Sequence, residues 1–134
     1  MPQQIFVNLP VKDLDKSTAF YTALGYTVNP QFTDENAACV VISDTIFVML
    51  ITEAFFGNFT KKPIADATSV TEAINCLSVE SREDADRIAE LAFANGGAKT
   101  NDPMDQGPMY GRSFQDPDGH QWELMYMDPA AFES

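Results

Sequence analysis

A chain of 134 residues, 45% hydrophobic and 21% charged, has the length and composition of one globular domain with a real core, neither disordered nor fibrous. Twenty acidic residues against eight basic ones leave a formal charge of −12, a field that repels phosphate backbones and anionic lipid. Nucleic acid and membrane surfaces are therefore poor partners; the charge is read first as solubility and second as a preference for cationic or neutral ligands. Cys39 and Cys76 fall inside apolar runs without CxxC spacing, which predicts buried free thiols in a reduced compartment. The opening MPQQIFVNL has neither a basic n-region nor a long apolar h-region, and no stretch approaches the roughly 20 apolar residues of a membrane span. A cytoplasmic location is expected.

Gln4 to Val11 alternates as a strand does, with Phe6 and Asn8 on one face and Val7 and Leu9 on the other. Asp13 stands where an N-cap is wanted. The helix that follows, LDKSTAFYTALG, carries Leu14, Ala19, Phe20, Ala23 and Leu24 on one side and stops at Gly25. Tyr26–Asn29 reads as a short strand, and Ala37–Ser43 with Thr45–Thr52 as a hairpin, Glu53 being a surface residue at its end. Residues 55–69 form an aromatic connector with little periodicity, in which Phe55, Phe56 and Phe59 suit an interface or a lid.

The order then begins again. Thr71–Val79 is strand-like, and Ser81 caps a helix through REDADRIAELAFANGG with Ile88, Leu91 and Ala92 inward and Gly96-Gly97 at its end. A short strand is expected near Ala98–Thr100, and Gly111–Gln115 with His120–Met127 make a last hairpin joined by the turn DPDG. In that turn Pro fixes φ, Asp accepts backbone hydrogen bonds and Gly takes positive φ, so Asp116, Pro117, Asp118 and Gly119 need no catalytic role. His120, the one histidine, is read as holding its own turn. Matching order and spacing mark an internal duplication: one α+β domain, 1–134, built of two βαβββ modules at about 1–54 and 70–134. The modules are expected to form a curved mixed β-sheet with a concave cleft and the helices outside.

This order, with VKDLDKSTAFYTALGY near the start and FQDPDGHQWELMYMDP near the end, resembles the vicinal oxygen chelate superfamily over essentially the whole chain. That superfamily holds glyoxalase I, extradiol dioxygenases, fosfomycin-resistance enzymes and bleomycin-resistance proteins. The resemblance implies a metal site in the enzymes, with ligands from the first and last strand of each module, stabilising an anion by Lewis-acid action. Carried over position by position, the step back from Val11 of Val11-Lys12-Asp13-Leu14 falls on Phe6, and that from Val79 on Ile74. The closing strand of the first module offers Met49, and only Glu123 of the DPDGHxxE pattern keeps a ligand type. No metal site is therefore expected and no cofactor, with a divalent metal the disfavoured alternative. The departure points to the non-metal members, dimers that sequester a cationic drug, and implies a homodimer here.

The expected function is small-molecule binding in an apolar cleft with one carboxylate, for a ligand of cationic or aromatic character; the alternative is a metal-dependent lyase or dioxygenase. The predicted ligand-binding residues are Phe6, Asn8, Met49, Ile74, Cys76, Tyr110, Phe114, Glu123 and Met125, with Ile51 beside them. Phe6, Ile51 and Ile74 are read first as packing residues, and Asn8 and Tyr110 as polar contacts. Glu123 is also the candidate catalytic group. A carboxylate among apolar side chains needs a partner: a cationic ligand, Asn8, a metal, a substrate proton, or a salt bridge to Arg112.

Overall fold

The computed structural model describes residues 2–132, so the outermost ends of the expected domain, 1 and 133–134, lie outside the described residues. The chain divides into two compact units, 1–66 and 67–134. In the first, β1 (Ile5–Val11) leads to α1 (Leu14–Ala23), then β2 (Thr27–Asn29), a 3-10 turn at Pro30–Phe32, β3 (Ala37–Val41) and β4 (Ile46–Thr52). The Asp13 carboxylate accepts from the Lys16 amide at 3.1 Å and satisfies an orphan donor of the first turn. The connector is not structureless at its start. Thr52 accepts from the Phe55 amide, opening α2 (Glu53–Phe56) and a 3-10 turn at Gly57–Phe59. Glu53 is accordingly a first-turn helical residue, paired with exposed Lys12.

The second unit repeats this order with β5 (Ile74–Ser78), α3 (Arg82–Ala94), β6 (Met104–Gln106), β7 (Met109–Gln115) and β8 (Gln121–Met127). Hydrogen bonding separates the strands into two four-stranded mixed sheets, β1-β4-β3-β2 and β5-β8-β7-β6, rather than one continuous sheet. Their identical order is the duplication seen in the sequence. Gly25 and Gly96 follow the two helices at φ +107 and +103, so Gly96 is the counterpart of Gly25. The strand expected at Ala98–Thr100 shrinks to one bridge, Ala98–Gln115, because the Asn101 amide is taken by the Ser113 hydroxyl at 3.1 Å; the edge strand forms three residues later as β6.

Each helix covers one face of its own sheet. Leu9, Val11, Val40, Val48 and Leu50 are buried with Phe20, Tyr21 and Leu24 of the first unit. Ala19, expected inward, is exposed, and Ser17 is buried in its place. In the second unit Phe114, Trp122 and Leu124 are buried with Ala85, Ile88, Ala89 and Ala92 of α3, whose small side chains admit a close helix–sheet approach. Leu91 is only half-buried. No helix among the described residues is long and apolar enough to cross a membrane.

Polar contacts fasten α3 to β7. Arg112 reaches Asp86 and Glu90, each at 2.6 Å, and Tyr110 donates its hydroxyl hydrogen to Asp86. The Tyr110 hydrogen bond, with Arg112 behind it, holds the Asp86 carboxyl below its ordinary range against a smaller opposing effect of burial. A depressed carboxylate contributes stability above about pH 4, and that contribution is lost as pH falls through its folded value. Tyr110→Phe should therefore cost about 1 kcal/mol at neutral pH. The gap from the parent should narrow below about pH 4. Melting curves from pH 7 to 2.5 check this; a gap constant across the range would refute it.

Candidate functional site

Register decides which side chains share a face. In β8, Trp122 and Leu124 turn toward α3, so Gln121, Glu123 and Met125 occupy the opposite face. Glu123 of β8 pairs with Cys76 of β5 on one side and with Ser113 of β7 on the other, giving a row of thiol, carboxylate and hydroxyl across three strands. Met125 is flanked by Ser78 and Gly111, and Gly111 in turn by Met104 of β6. Beside this row lies a hollow of about 230 Å³ lined by Asn101, Asp102, Met104, Gly111, Arg112, Ser113, Glu123 and Met125. Drug-sized pockets run about 300–1,000 Å³, so this one takes a small molecule or one end of a larger one.

Of the predicted residues, Glu123 and Met125 line the hollow, with Cys76 alongside and Ile74 further along the same face. Phe114 and Tyr110 do not join them. Phe114 is buried opposite Trp122, and Tyr110 bonds to Asp86 of α3, both on the helix side. The cause is the turn. Asp116, itself buried, accepts from the amides of Asp118 and His120, and its own amide donates to the His120 carbonyl, so the turn spans Asp116–His120 rather than DPDG alone. That one extra residue shifts the register by one and exchanges faces: Ser113, not Arg112, stands opposite Glu123. Arg112 consequently faces α3, where it pairs with Asp86 and Glu90, and the salt bridge to Arg112 that was one option for Glu123 is not formed among the described residues. The β7 alternation Gly111, Ser113, Gln115 was the sequence signal for these missed lining residues.

Phe6, Asn8 and Met49 belong to the first unit, on the face of its sheet turned from α1. There β1 and β4 pair Phe6 with Phe47 and Asn8 with Met49. The Phe6 and Phe47 rings stack at 4.8 Å, and Phe6 stays 48% exposed, an aromatic platform rather than core packing. Ile51, on the same face, is buried. By the duplication, the pair Asn8–Met49 occupies the place of Cys76–Glu123 in the second unit.

Among the described residues no cation pairs with Glu123, and no group of three His, Cys, Asp or Glu side chains gathers as a metal would require. At the rim Asp102 is tied to Lys99 at 2.8 Å. Cys76 departs from expectation in being exposed, whereas Cys39 is buried. Partial burial, then the Glu123 charge, pushes the Cys76 thiol up, so it stays protonated at neutral pH. A thiol-directed reagent at pH 7.5 should label one cysteine in the native protein, more slowly than a free thiol, and faster in Glu123→Gln. Two labels, or a rate indifferent to Glu123, would contradict this placement.

Residues 3–43 match the family described as bleomycin resistance protein-like N-terminal. A solved structure of the hypothetical protein SA1046 from S. aureus is 32% identical, covering 94% of this chain and 95% of that one at a TM-score of 0.78. A glyoxalase/bleomycin resistance protein/dioxygenase family enzyme from Burkholderia phytofirmans is 15% identical over 94% and 99% of the two chains, at a TM-score of 0.75. The bleomycin resistance determinant encoded on transposon Tn5 is 21% identical over 95% and 99%, at 0.66. At these two lower identities the likeness is one of fold alone. No curated protein matches the chain.

Proposed function

We propose that this chain, whose residues 3–43 match the bleomycin resistance protein-like N-terminal family and whose fold is that of the glyoxalase and bleomycin resistance proteins, binds a small organic cation, aromatic or not, against the face of its second sheet turned from α3, with Glu123 meeting the positive charge. The observation that carries the reading is Glu123 itself. It is half-buried beside two methionines and a hydroxyl, with no cation paired to it among the described residues, in a chain of net charge −12. A partly desolvated carboxylate of this kind gains most from a cation that brings apolar surface with it.

A divalent metal fits these residues poorly. Phe6, Ile74 and Met49 supply no oxygen or nitrogen donor, and Glu123 with Cys76 beside it falls short of the three ligands a catalytic site needs. Binding, not metal-dependent lyase or dioxygenase chemistry, is the reading adopted, and no cofactor is assigned. The protein is read as cytoplasmic and as a homodimer, with Phe59, 65% exposed and edge-on to Phe55 at 5.4 Å, as a candidate contact. A monomer by light scattering at micromolar concentration would remove the dimer.

The test is thermal shift with benzyltrimethylammonium and its neutral carbon isostere, on the parent and on Glu123→Gln. Saturable stabilisation by the cation, absent for the isostere and for the variant, is expected. No stabilisation by the cation would overturn the reading. So would stoichiometric Ni, Zn, Fe or Mn in protein purified without chelator and lost in Glu123→Gln, accompanied by turnover of a thiohemiacetal or a catechol.

A further inference from the structure

Gly111 sits in the middle of β7, where a glycine weakens a strand and forfeits side-chain packing. Nothing in the backbone demands it. The glycines with positive φ are Gly25, Gly96, Gly107 and Gly119, and Gly111 is not one of them. No backbone presses on it either. A Cβ built there would meet the Met125 methyl at 3.3 Å, the Met104 methyl at 3.5 Å and the Met125 sulfur at 3.6 Å, all flexible side-chain ends. Gly111 pairs with Met104 on one side and Met125 on the other, and all three line the hollow that Glu123 shares.

We infer that Gly111 is a specificity-determining residue: the flexible Met104 and Met125 ends that lie over it swing aside to open a slot for the apolar end of the cation whose charge meets Glu123. The inference rests on the proposed binding function and refines its ligand class to monocations carrying one compact apolar group. Methionine suits such a slot because its thioether adapts to shape and contacts aromatic rings favourably. Glycine suits the floor because any side chain would fill the slot from below.

Gly111→Ala separates the roles, because the added methyl asks only that methionine tips move, and alanine restricts the unfolded chain more than glycine does. Its melting temperature should not fall below that of the parent. Titration calorimetry with benzyltrimethylammonium should show affinity reduced about tenfold or more, as when a well-filled apolar pocket loses room for a group. Tetramethylammonium, which has no ring to place, should bind both proteins within about threefold. Adding Met125→Ala to Gly111→Ala should restore the ring's room and part of the affinity.

Equal affinity for benzyltrimethylammonium in the parent and Gly111→Ala would overturn the inference while leaving the binding function standing. Equal losses for both cations, or a large drop in melting temperature, would also overturn it by showing a structural glycine. A parent protein that binds neither cation ends the proposed function and this inference with it.

Discussion

Gly119→Ala should lower the melting temperature by about 10 °C, the effect of about 3 kcal/mol in a chain of this size. Two costs add. Gly119 holds φ at +91, where an L side chain is strained by about 1–2 kcal/mol. An added Cβ would also lie 2.7 Å from the carbonyl carbon and oxygen of Ala67 and 2.8 Å from the Thr68 amide nitrogen. These are backbone atoms and cannot swing aside as a methionine tip can, so the Ala67–Thr68 segment or the turn must shift. Differential scanning calorimetry checks the value. A fall under about 2 °C would mean the turn is not pressed against that segment as described. The contrast with Gly111, where the neighbours are movable and φ is ordinary, makes the two glycines opposite cases in one hairpin.

Trp122→Ala should cost about 4 kcal/mol, whereas Glu123→Gln next to it should stay within about 0.5 kcal/mol. Trp122 is 2% exposed among the residues that pack against α3, and truncation there leaves a cavity bordered by a helix and sheet that cannot fully collapse. Glu123 points to the other face, half-buried, with no ion pair to lose among the described residues. Denaturant midpoints for the two variants measure both values. Comparable losses at the two positions would contradict the assignment of faces in β8.

The segment DPDGHQWELMYM thus does three separable jobs within twelve residues. Asp116 and Gly119 shape the turn, Trp122 fills the core, and Glu123 faces the hollow. Much of this was legible from the sequence. The two βαβββ repeats, both helix caps at Asp13 and Ser81, and the faces of Phe6, Met49, Cys76 and Glu123 follow from hydrophobic period and capping chemistry, which are local.

What was not legible depended on counting residues through turns. The Asp116 carboxylate recruits His120 into the turn, and that single residue moved Phe114, Tyr110 and Arg112 to the helix side. Side-chain bonds to backbone compete with ladder pairing, and nothing in the strand pattern announces which will win. The same competition at Ser113 and Asn101 displaced the expected edge strand to Met104–Gln106, so Met104 could not be placed in the site. Arg112 is one of only eight basic residues and so one option for pairing Glu123, whereas Asp86 and Glu90, distant in sequence, claim it in the fold.

The most direct measurement is methyl NMR of the methionines during titration with benzyltrimethylammonium, on the parent and on Glu123→Gln. The chain has six methionines, and their ε-methyl resonances report location rather than affinity alone. Saturable shifts are expected at Met104 and Met125 in the parent and their loss in Glu123→Gln, with the folded spectrum otherwise retained. Shifts that spare Met104 and Met125, or that persist undiminished without the Glu123 charge, would contradict this expectation.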